Sequence, residues 1–573
     1  MSYRAPTEDI VFTLTRIAAP HLDPEDIRAI VEEAGRFARD KVAPLDRVSD
    51  LVGATWRETG VTTPPGFRDI YRDWREAGWN ALAQPENFGG SGLPTVLGAV
   101  STETLASACM AFATLPTITR GAADALHTHA SDELKALYLP KLVSGQWTGT
   151  MNLTEPQAGS DLALLRARAV PAGDGSWRLT GQKIFITFGE HDMAENIVHL
   201  VLARLPDAPP GIKGLSLFLA PKFLVDADGN LGERNDLRCA GIEHKLGIKG
   251  SPTCTMIFGE NGGAKAWLVG RENEGLACMF TMMNKARLDT GIQGVSMAEK
   301  ATQRALAYAL ERRQGRAAGF DSPAPIAAHP DMGRMLARMR ALTAATRAIA
   351  YCAAAAIDQA ERGDDAEARR QGELRAGLLT PVVKAFSTDI GCEVASLCVQ
   401  VHGGMGFVEE TGVAQFYRDI RIAPIYEGTN AIQATDLVMR KIGRDQGEDL
   451  RKLIAESRAD VAAAETRIGA AAAGRLRDAL AAWEQASAAA LAADLSDTEK
   501  LLVASTYLRL FGLALGGALL CRGAAAAGAG EDHWVGLARV FADDIAPECQ
   551  SLAAQIVQPK RDIEDYRVLA GLR

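Results

Sequence analysis

Few side chains can take a proton from carbon, and one carboxylate in this sequence sits in a setting that would suit the task. Glu427 lies in the segment PIYEGT, residues 424–429. Gly428 has no Cβ, so backbone and a bound molecule could approach closely there. A carboxylate shielded from water by Tyr426 would have its pKa raised toward neutrality and could serve as a general base. The same glutamate also reads as a helix-start residue beside the positive end of a helix dipole, and spacing alone favours that plainer reading. Other candidates are equally two-sided. Ser160 and Asp161, in LTEPQAGSDL (153–162), are good turn and cap residues. The glycines of QVHGGMGF (400–407) would let backbone approach a phosphate or would form a tight turn. Arg287 reads as an internal ion-pair partner of Asp289 or of a glutamate, Arg316 as a solvated helix end, and Asp419, after Arg418, as part of a structural ion pair. His199, His244 and His402 form no ligand-spaced cluster, so no metal is expected.

These groups need a scaffold. A chain of 573 residues implies several domains. From about Leu22 to Trp147 the apolar residues recur at helical spacing. Residues 31–39 and the stretch 105–114 read as helices, with Pro116 as a stop after the second. Gly89, Gly90, Gly92 and Pro94 mark a break between helices. Near Thr148 the character changes. VPAGDGSW (170–177) reads as a hairpin turn, and 197–203, 215–220 and 253–258 are short apolar runs bounded by turn residues, so this section reads as mostly β. Helical periodicity returns at Gly275 and, after a loop at about 315–330, continues to about Ile442. In the alanine-rich tail Leu476, Leu480, Trp483, Leu491 and Leu495 fall near one helical face, and Ser496 with Glu499 can form a capping box. The expected class is α+β, mainly α: a helical domain over 1–147, a β-domain over 148–270, a helical bundle over 271–446, and an extra helical domain over 447–573.

A formal net charge of −9 argues against non-specific nucleic-acid binding. The start of the chain lacks a basic region followed by an apolar core, so no signal peptide is expected. The longest apolar stretch, 510–521, is shorter than the roughly 20 residues a transmembrane span needs. Nine scattered cysteines without a C-x-x-C pair fit reduced thiols, and a cytoplasmic protein.

Taken together, LTEPQAGSDL (153–162), GQKIFITF (181–188) and YEGTNAIQ (426–433), in that order and separation, resemble the acyl-CoA dehydrogenase family over roughly residues 30–445. The extra tail, HKLGIKGSPTC (244–254) and NKARL (284–288) are similar to a larger subset that includes methylmercaptopropionyl-CoA dehydrogenases and broad-range fatty-acyl-CoA dehydrogenases. The resemblance implies an N-terminal helical domain, a middle β-domain and a C-terminal four-helix domain. It implies FAD between the second and third, an acyl-CoA substrate, α,β-dehydrogenation to the trans-2-enoyl-CoA, a homodimer or tetramer, and an electron-transferring flavoprotein as acceptor.

By the same resemblance Glu427 is the base. Some relatives carry the base just before an arginine on an earlier helix, but here that position is Ala286, before Arg287. The Glu427 backbone N–H and a flavin ribityl hydroxyl would hold the thioester carbonyl. Leu153 and Thr154 match contacts to the flavin pyrimidine edge, Ser160 a pyrophosphate contact, and Thr187 a hydroxyl near flavin N5. Phe185 stands where many relatives carry tryptophan. Gln400, Gly403 and Gly404 match a loop that touches the neighbouring subunit's FAD, Arg312 and Gln314 a further FAD contact, and Thr429 another. Arg287, Tyr426 and Gly428 are expected beside the substrate. Two rivals share the fold: an oxidase that passes electrons to oxygen, and a non-catalytic flavoprotein that binds DNA through a basic tail. The mixed charges of this tail, and the presence of Glu427, weigh against the second. Dimer packing is the expected role of the tail.

Overall fold

The computed structural model describes residues 3–492, 495–557 and 563–572. The N-terminal part is helical, and its helices form for local reasons. The helix α1 (Pro24–Phe37) starts at Asp23, whose carboxylate accepts the N–H groups of Glu25 and Asp26 at 2.8 and 3.3 Å. It buries Ile27, Val31 and Ala34 on one face. Two longer helices follow, α2 (Thr95–Ala108) and α3 (Met110–His129). The stretch 105–114 is not one helix, because Cys109 is extended (φ −153°, ψ 102°) and separates α2 from α3. Nor does Pro116 stop the second helix, which runs through it. Most of α3 is buried, so tertiary packing holds it across a proline that propensity alone would treat as a terminus.

The middle section is an eight-stranded sheet: β1 (Trp147–Asn152), β2 (Arg168–Pro171), β3 (Trp177–Thr187), β4 (Asn196–Arg204), β5 (Leu215–Pro221), β6 (Leu237–Ile242), β7 (Thr253–Phe258) and β8 (Ala264–Val269). The order is β6-β7-β3-β8-β5-β4-β1, with β2 pairing β3 and β4. β2 and β3 form the expected hairpin, closing at Pro171↔Trp177. β4 runs parallel to β1 and, at Arg168↔Arg204, to β2, and the other neighbours are antiparallel. A bulge interrupts β3 against β7: Cys254 faces Ile186 and Met256 faces Lys183, so Ile184 and Phe185 together oppose one residue. Such a bulge re-aims a side chain, and Phe185, at φ 60°, is left 58% exposed.

The third section is built on three long helices, α4 (Gly275–Glu311), α5 (Pro330–Arg362) and α6 (Ala366–His402), followed by the short helices α7 (Val413–Ile420) and α8 (Asn430–Asp436). Glycines set the closest approaches. A Cβ on Gly294 of α4 would lie 2.3 Å from the Ser387 carbonyl oxygen of α6.

The tail adds α9 (Glu448–Ile468), α10 (Ala470–Leu491), α11 (Asp497–Ala526), α12 (Asp532–Asp544) and α13 (Glu548–Val557). The Ser496–Glu499 capping box is present at the start of α11. Leu476, Leu480 and Trp483 are buried along α10, but α10 ends at Leu491, which is itself exposed, so Leu495 does not extend that face as the spacing suggested. Among the described residues α11 is the one helix long and apolar enough to cross a membrane, and 72% of its apolar window is buried inside the protein. It packs on α5 and α6: a Cβ on Gly512 would sit 2.3 Å from the Phe386 ring, and one on Gly516 would sit 3.0 Å from Ala345. Phe12 and Trp534 stack at 4.4 Å between ring centroids, tying the start of the chain to α12. One continuous apolar core therefore runs from the N-terminal helices through the tail.

Candidate active site

Glu427 sits in a loop of unusual backbone. It has φ 56° and the following Gly428 has φ 82°. A non-glycine residue in the left-handed region is uncommon, and such strain concentrates at functional sites. The loop is closed from below by the N–H of Asn430, which donates to the Pro424 carbonyl at 3.0 Å, and by the Thr429 hydroxyl, which donates to the same oxygen at 3.2 Å. Tyr426 holds the other side, its hydroxyl donating to Gln293 Oε1 on α4. Gly428 suits glycine because of its φ, and a Cβ there would also lie 2.7 Å from Gln433 Nε2, the end of a side chain that would have to shift.

The carboxylate has the electrostatics of a poised base. Glu427 Oε2 is buried and has no hydrogen-bond partner. Burial lifts the carboxyl to about 7, against the opposing pull of Lys384 and Arg287. Among the described residues, no hydrogen bond within the chain engages the Glu427 backbone N–H. Lys384 was not picked out by the sequence reading. It is fully buried on α6, and its ammonium donates to Asn430 Oδ1 at 2.9 Å. Desolvation brings it down to about 7 even with Glu427 nearby. Asn430 also donates to the Ala385 carbonyl at 3.1 Å and to Asp389 Oδ1 at 2.8 Å, which fastens the loop to α6. The one available signal was a lone lysine in the apolar run LLTPVVKAF, 378–386.

Arg287 is buried and packs beside this loop: its guanidinium NH2 lies 3.8 Å from where a Gly428 Cβ would be. It donates to Asn284 Oδ1 at 3.2 Å, and its Nε is buried without a partner. The ion pair with Asp289 suggested by the sequence is absent; Asp289 lies instead 3.9 Å from Arg120. Position 286, the alternative location for a base, is a buried alanine.

The second group of predicted residues meets on the β-domain. The Ile184 N–H donates to the Thr154 carbonyl at 2.9 Å. The Lys183 ammonium, fully buried, donates to the Leu153 carbonyl at 2.9 Å and to Glu155 Oε1 at 2.8 Å. These contacts fix Leu153 and Thr154 against the strand that carries Phe185 and Thr187. Ser160 is exposed in the turn that follows. A loop links this group to Glu427. Thr187 pairs with Thr253 on β7. Just before β7, the Ile248 N–H donates to Asp419 Oδ1 at 2.5 Å, at the end of α7. Asp419 thus docks the β-domain onto the helix that leads to Glu427 and is not an ion-pair partner; burial raises it to about 6. The ion pair belongs to Arg418, 2.6 Å from Asp50.

The third group lies elsewhere. Tyr308, near the end of α4, stacks on His402 at 4.2 Å between centroids, so the exposed loop holding Arg312 and Gln314 neighbours Gln400 at the end of α6 and the exposed Gly403 and Gly404 that follow it. Arg312 donates to Gln314 Oε1 at 3.5 Å. Arg287 and Glu311, the last residue of α4, stand about 36 Å apart at 1.5 Å per residue, and Arg312 follows Glu311 directly. Within a single chain this edge is therefore remote from Glu427. Among the described residues no cluster suited to a metal is present; His199 and His402 are buried.

The chain matches the acyl-CoA dehydrogenase N-terminal domain over residues 24–146, the middle domain over 150–260 and the C-terminal domain over 273–443, with an acetyl-CoA dehydrogenase C-terminal-like domain over 449–566. It is 49% identical over 505 residues, 86% of this chain and 84% of the relative, to 3-methylmercaptopropionyl-CoA dehydrogenase of Ruegeria pomeroyi. Two solved structures share the fold over nearly the whole chain. ACDH-11 of Caenorhabditis elegans in complex with C11-CoA aligns with a TM-score of 0.76 at 20% identity, covering 99% of this chain and 95% of its own. The acyl-CoA dehydrogenase of Bacillus anthracis complexed with FAD aligns with a TM-score of 0.71 at 21% identity, covering 98% and 94%. The chain belongs to the acyl-CoA dehydrogenase family and is an oxidoreductase of that kind.

Proposed function

We propose that this acyl-CoA dehydrogenase uses Glu427 to remove the α-proton of an acyl-CoA thioester while the β-hydrogen leaves as hydride to FAD, giving the trans-2-enoyl-CoA. The observation that carries the reading is the Glu427 carboxyl itself: one oxygen buried and unpartnered, a pKa lifted to about 7, and a left-handed backbone that leaves the N–H free.

FAD goes with this family, and the residues present fit it. Phe185 offers an uncovered aromatic face on the bulge of β3, beside Thr187. At Gly403 and Gly404 nothing lies within 4 Å of where a Cβ would be, so the backbone is open to a phosphate. Leu153, Thr154, Ser160 and Thr187 would hold the flavin of their own chain. Arg312, Gln314, Gln400, Gly403 and Gly404 would reach that of a second copy, which suits their distance from Glu427. The flavin, when bound, supplies the two-electron acceptor that no side chain can provide.

The chain's own residues do the rest. Glu427 accepts the α-proton as the C–H electron pair moves into the new double bond. Its backbone N–H donates to the thioester oxygen as charge builds there; one such donor is worth about 3 kcal/mol of transition-state stabilisation. Lys384 and Arg287 favour the ionised carboxylate, so the base is ready near neutral pH. Tyr426 and Gly428 shape the approach. An electron-transferring flavoprotein would be the acceptor that takes the electrons from the bound flavin.

Anaerobic addition of 3-methylmercaptopropionyl-CoA and of unsubstituted acyl-CoAs to the holoenzyme tests the proposal. Bleaching of the flavin band is expected. A flavin that no acyl-CoA reduces would overturn it.

A further inference from the structure

Beyond the base, a cavity of about 40 Å³ lies among α2, α3 and α4. That is room for two or three small atoms. Part of its wall is alanine, glycine and Leu288, but the rest is charged or polar: Gln84, Thr95, Arg120, Asp124, Lys285 and Asp289. The cavity is close to the chemistry. Ala286, Asp289 and Gln293 are spaced three and four residues apart, so they share one stripe of α4. Gln293 holds the Tyr426 hydroxyl, and Ala286 occupies the alternative base position. Asp289 is about one turn from Gln293, about 6 Å along the axis.

The polar groups are not all satisfied by one another. Gln84 is 3% exposed; its amide nitrogen donates to Asp124 Oδ1 at 3.4 Å, and its Oε1 is buried with no partner. Arg120 makes one hydrogen bond, NH2 to Thr102 Oγ1 at 2.6 Å, and its nearest carboxylate, Asp289, is 3.9 Å away. Lys285 is the better-paired cation, 3.3 Å from Asp124 and 3.6 Å from Glu361. The wall thus carries a buried acceptor without a donor and a guanidinium with donors to spare. The two cations and two carboxylates facing the cavity balance, so a neutral group suits it better than an ion. An alkyl end would strip water from these groups and return nothing.

We propose that this cavity receives the far end of the acyl group and selects a short acyl chain ending in a neutral group that both donates and accepts hydrogen bonds, such as a hydroxyl. The donor goes to Gln84 Oε1 and the acceptor takes an Arg120 N–H. The inference rests on the dehydrogenase reading above and names its substrate class.

The test is anaerobic flavin reduction of the holoenzyme by paired thioesters of equal length: hexanoyl-CoA with a hydroxyl on its terminal carbon against heptanoyl-CoA, with the homologous pairs one carbon shorter and longer. The hydroxylated member is expected to reduce flavin with a kcat/KM roughly 10- to 100-fold higher in at least one pair. The double variant R120M/D289L, which removes one charge of each sign, is expected to abolish or reverse that preference. Flavin content and circular dichroism report whether it folds. Gln84→Met makes a smaller change, and loss of the preference there gives the same answer. Reduction at equal rates within every pair, or a preference that survives Gln84→Met, would overturn the inference and leave the dehydrogenase reading standing. No reduction by any thioester would overturn both.

Discussion

Glu427 works as a base only while it is ionised, and its surroundings decide at what pH that holds. Burial raises its pKa to about 7, while the positive charges of Lys384 and Arg287 pull it down. The rate of flavin reduction at low substrate is therefore expected to rise with pH through about 7. Removing Lys384 removes part of the downward pull, so Lys384→Met is expected to move this acid limb to higher pH by about one unit and to slow the reaction below it. Rapid-mixing pH profiles of the two proteins check this, and an unmoved limb would mean that Lys384 serves only to hold Asn430. The contrast between the two residues shows what is legible in sequence. Glu427 stands out because Tyr426, Gly428 and Thr429 flank it in a pattern that resembles a family motif. Lys384 has no local pattern, and its role depends on a contact 46 residues away, with Asn430. Gln84, Arg120 and Asp289 likewise come from three separate segments, and no spacing rule brings them together.

Among the elements, the short apolar runs between turn residues correspond to β4, β5 and β7; β4 and β5 are buried on both faces, which calls for apolar residues along their length, while β7 alternates buried and half-buried residues. The bulge at Phe185 was not legible; it is set by register against β7. The break at Cys109 and the passage of α3 through Pro116 were misread because burial, not local propensity, decides both. Packing also explains α11. Its glycines let it approach α5 and α6, and a leucine at position 512 would have its Cβ 2.3 Å from the Phe386 ring. Gly512→Leu is expected to destabilise the protein by about 2 kcal/mol, read as a lower midpoint in thermal unfolding of the holoenzyme. An unchanged midpoint would show that α11 can shift without cost.

For the whole molecule, the tail shares one core with the N-terminal and C-terminal helices. An exposed apolar edge lies beside Gly403 and Gly404, where Met405 is 51% and Phe407 87% exposed. The account expects a homodimer, with twice the 61.0 kDa mass of the chain, in sedimentation. Phe407→Glu is expected to weaken both the dimer and flavin retention, since each flavin would draw contacts from two chains. A variant that stays dimeric and keeps full flavin would place the interface on another surface.

The most direct test of the central claim is the anaerobic rate of flavin bleaching by acyl-CoA in the wild type and in Glu427→Gln, each at matched flavin content. The variant keeps the size and burial of the side chain and removes its ability to take a proton. The account predicts a fall in that rate of about 10³-fold with flavin binding unchanged. Bleaching by Glu427→Gln at the wild-type rate would contradict it.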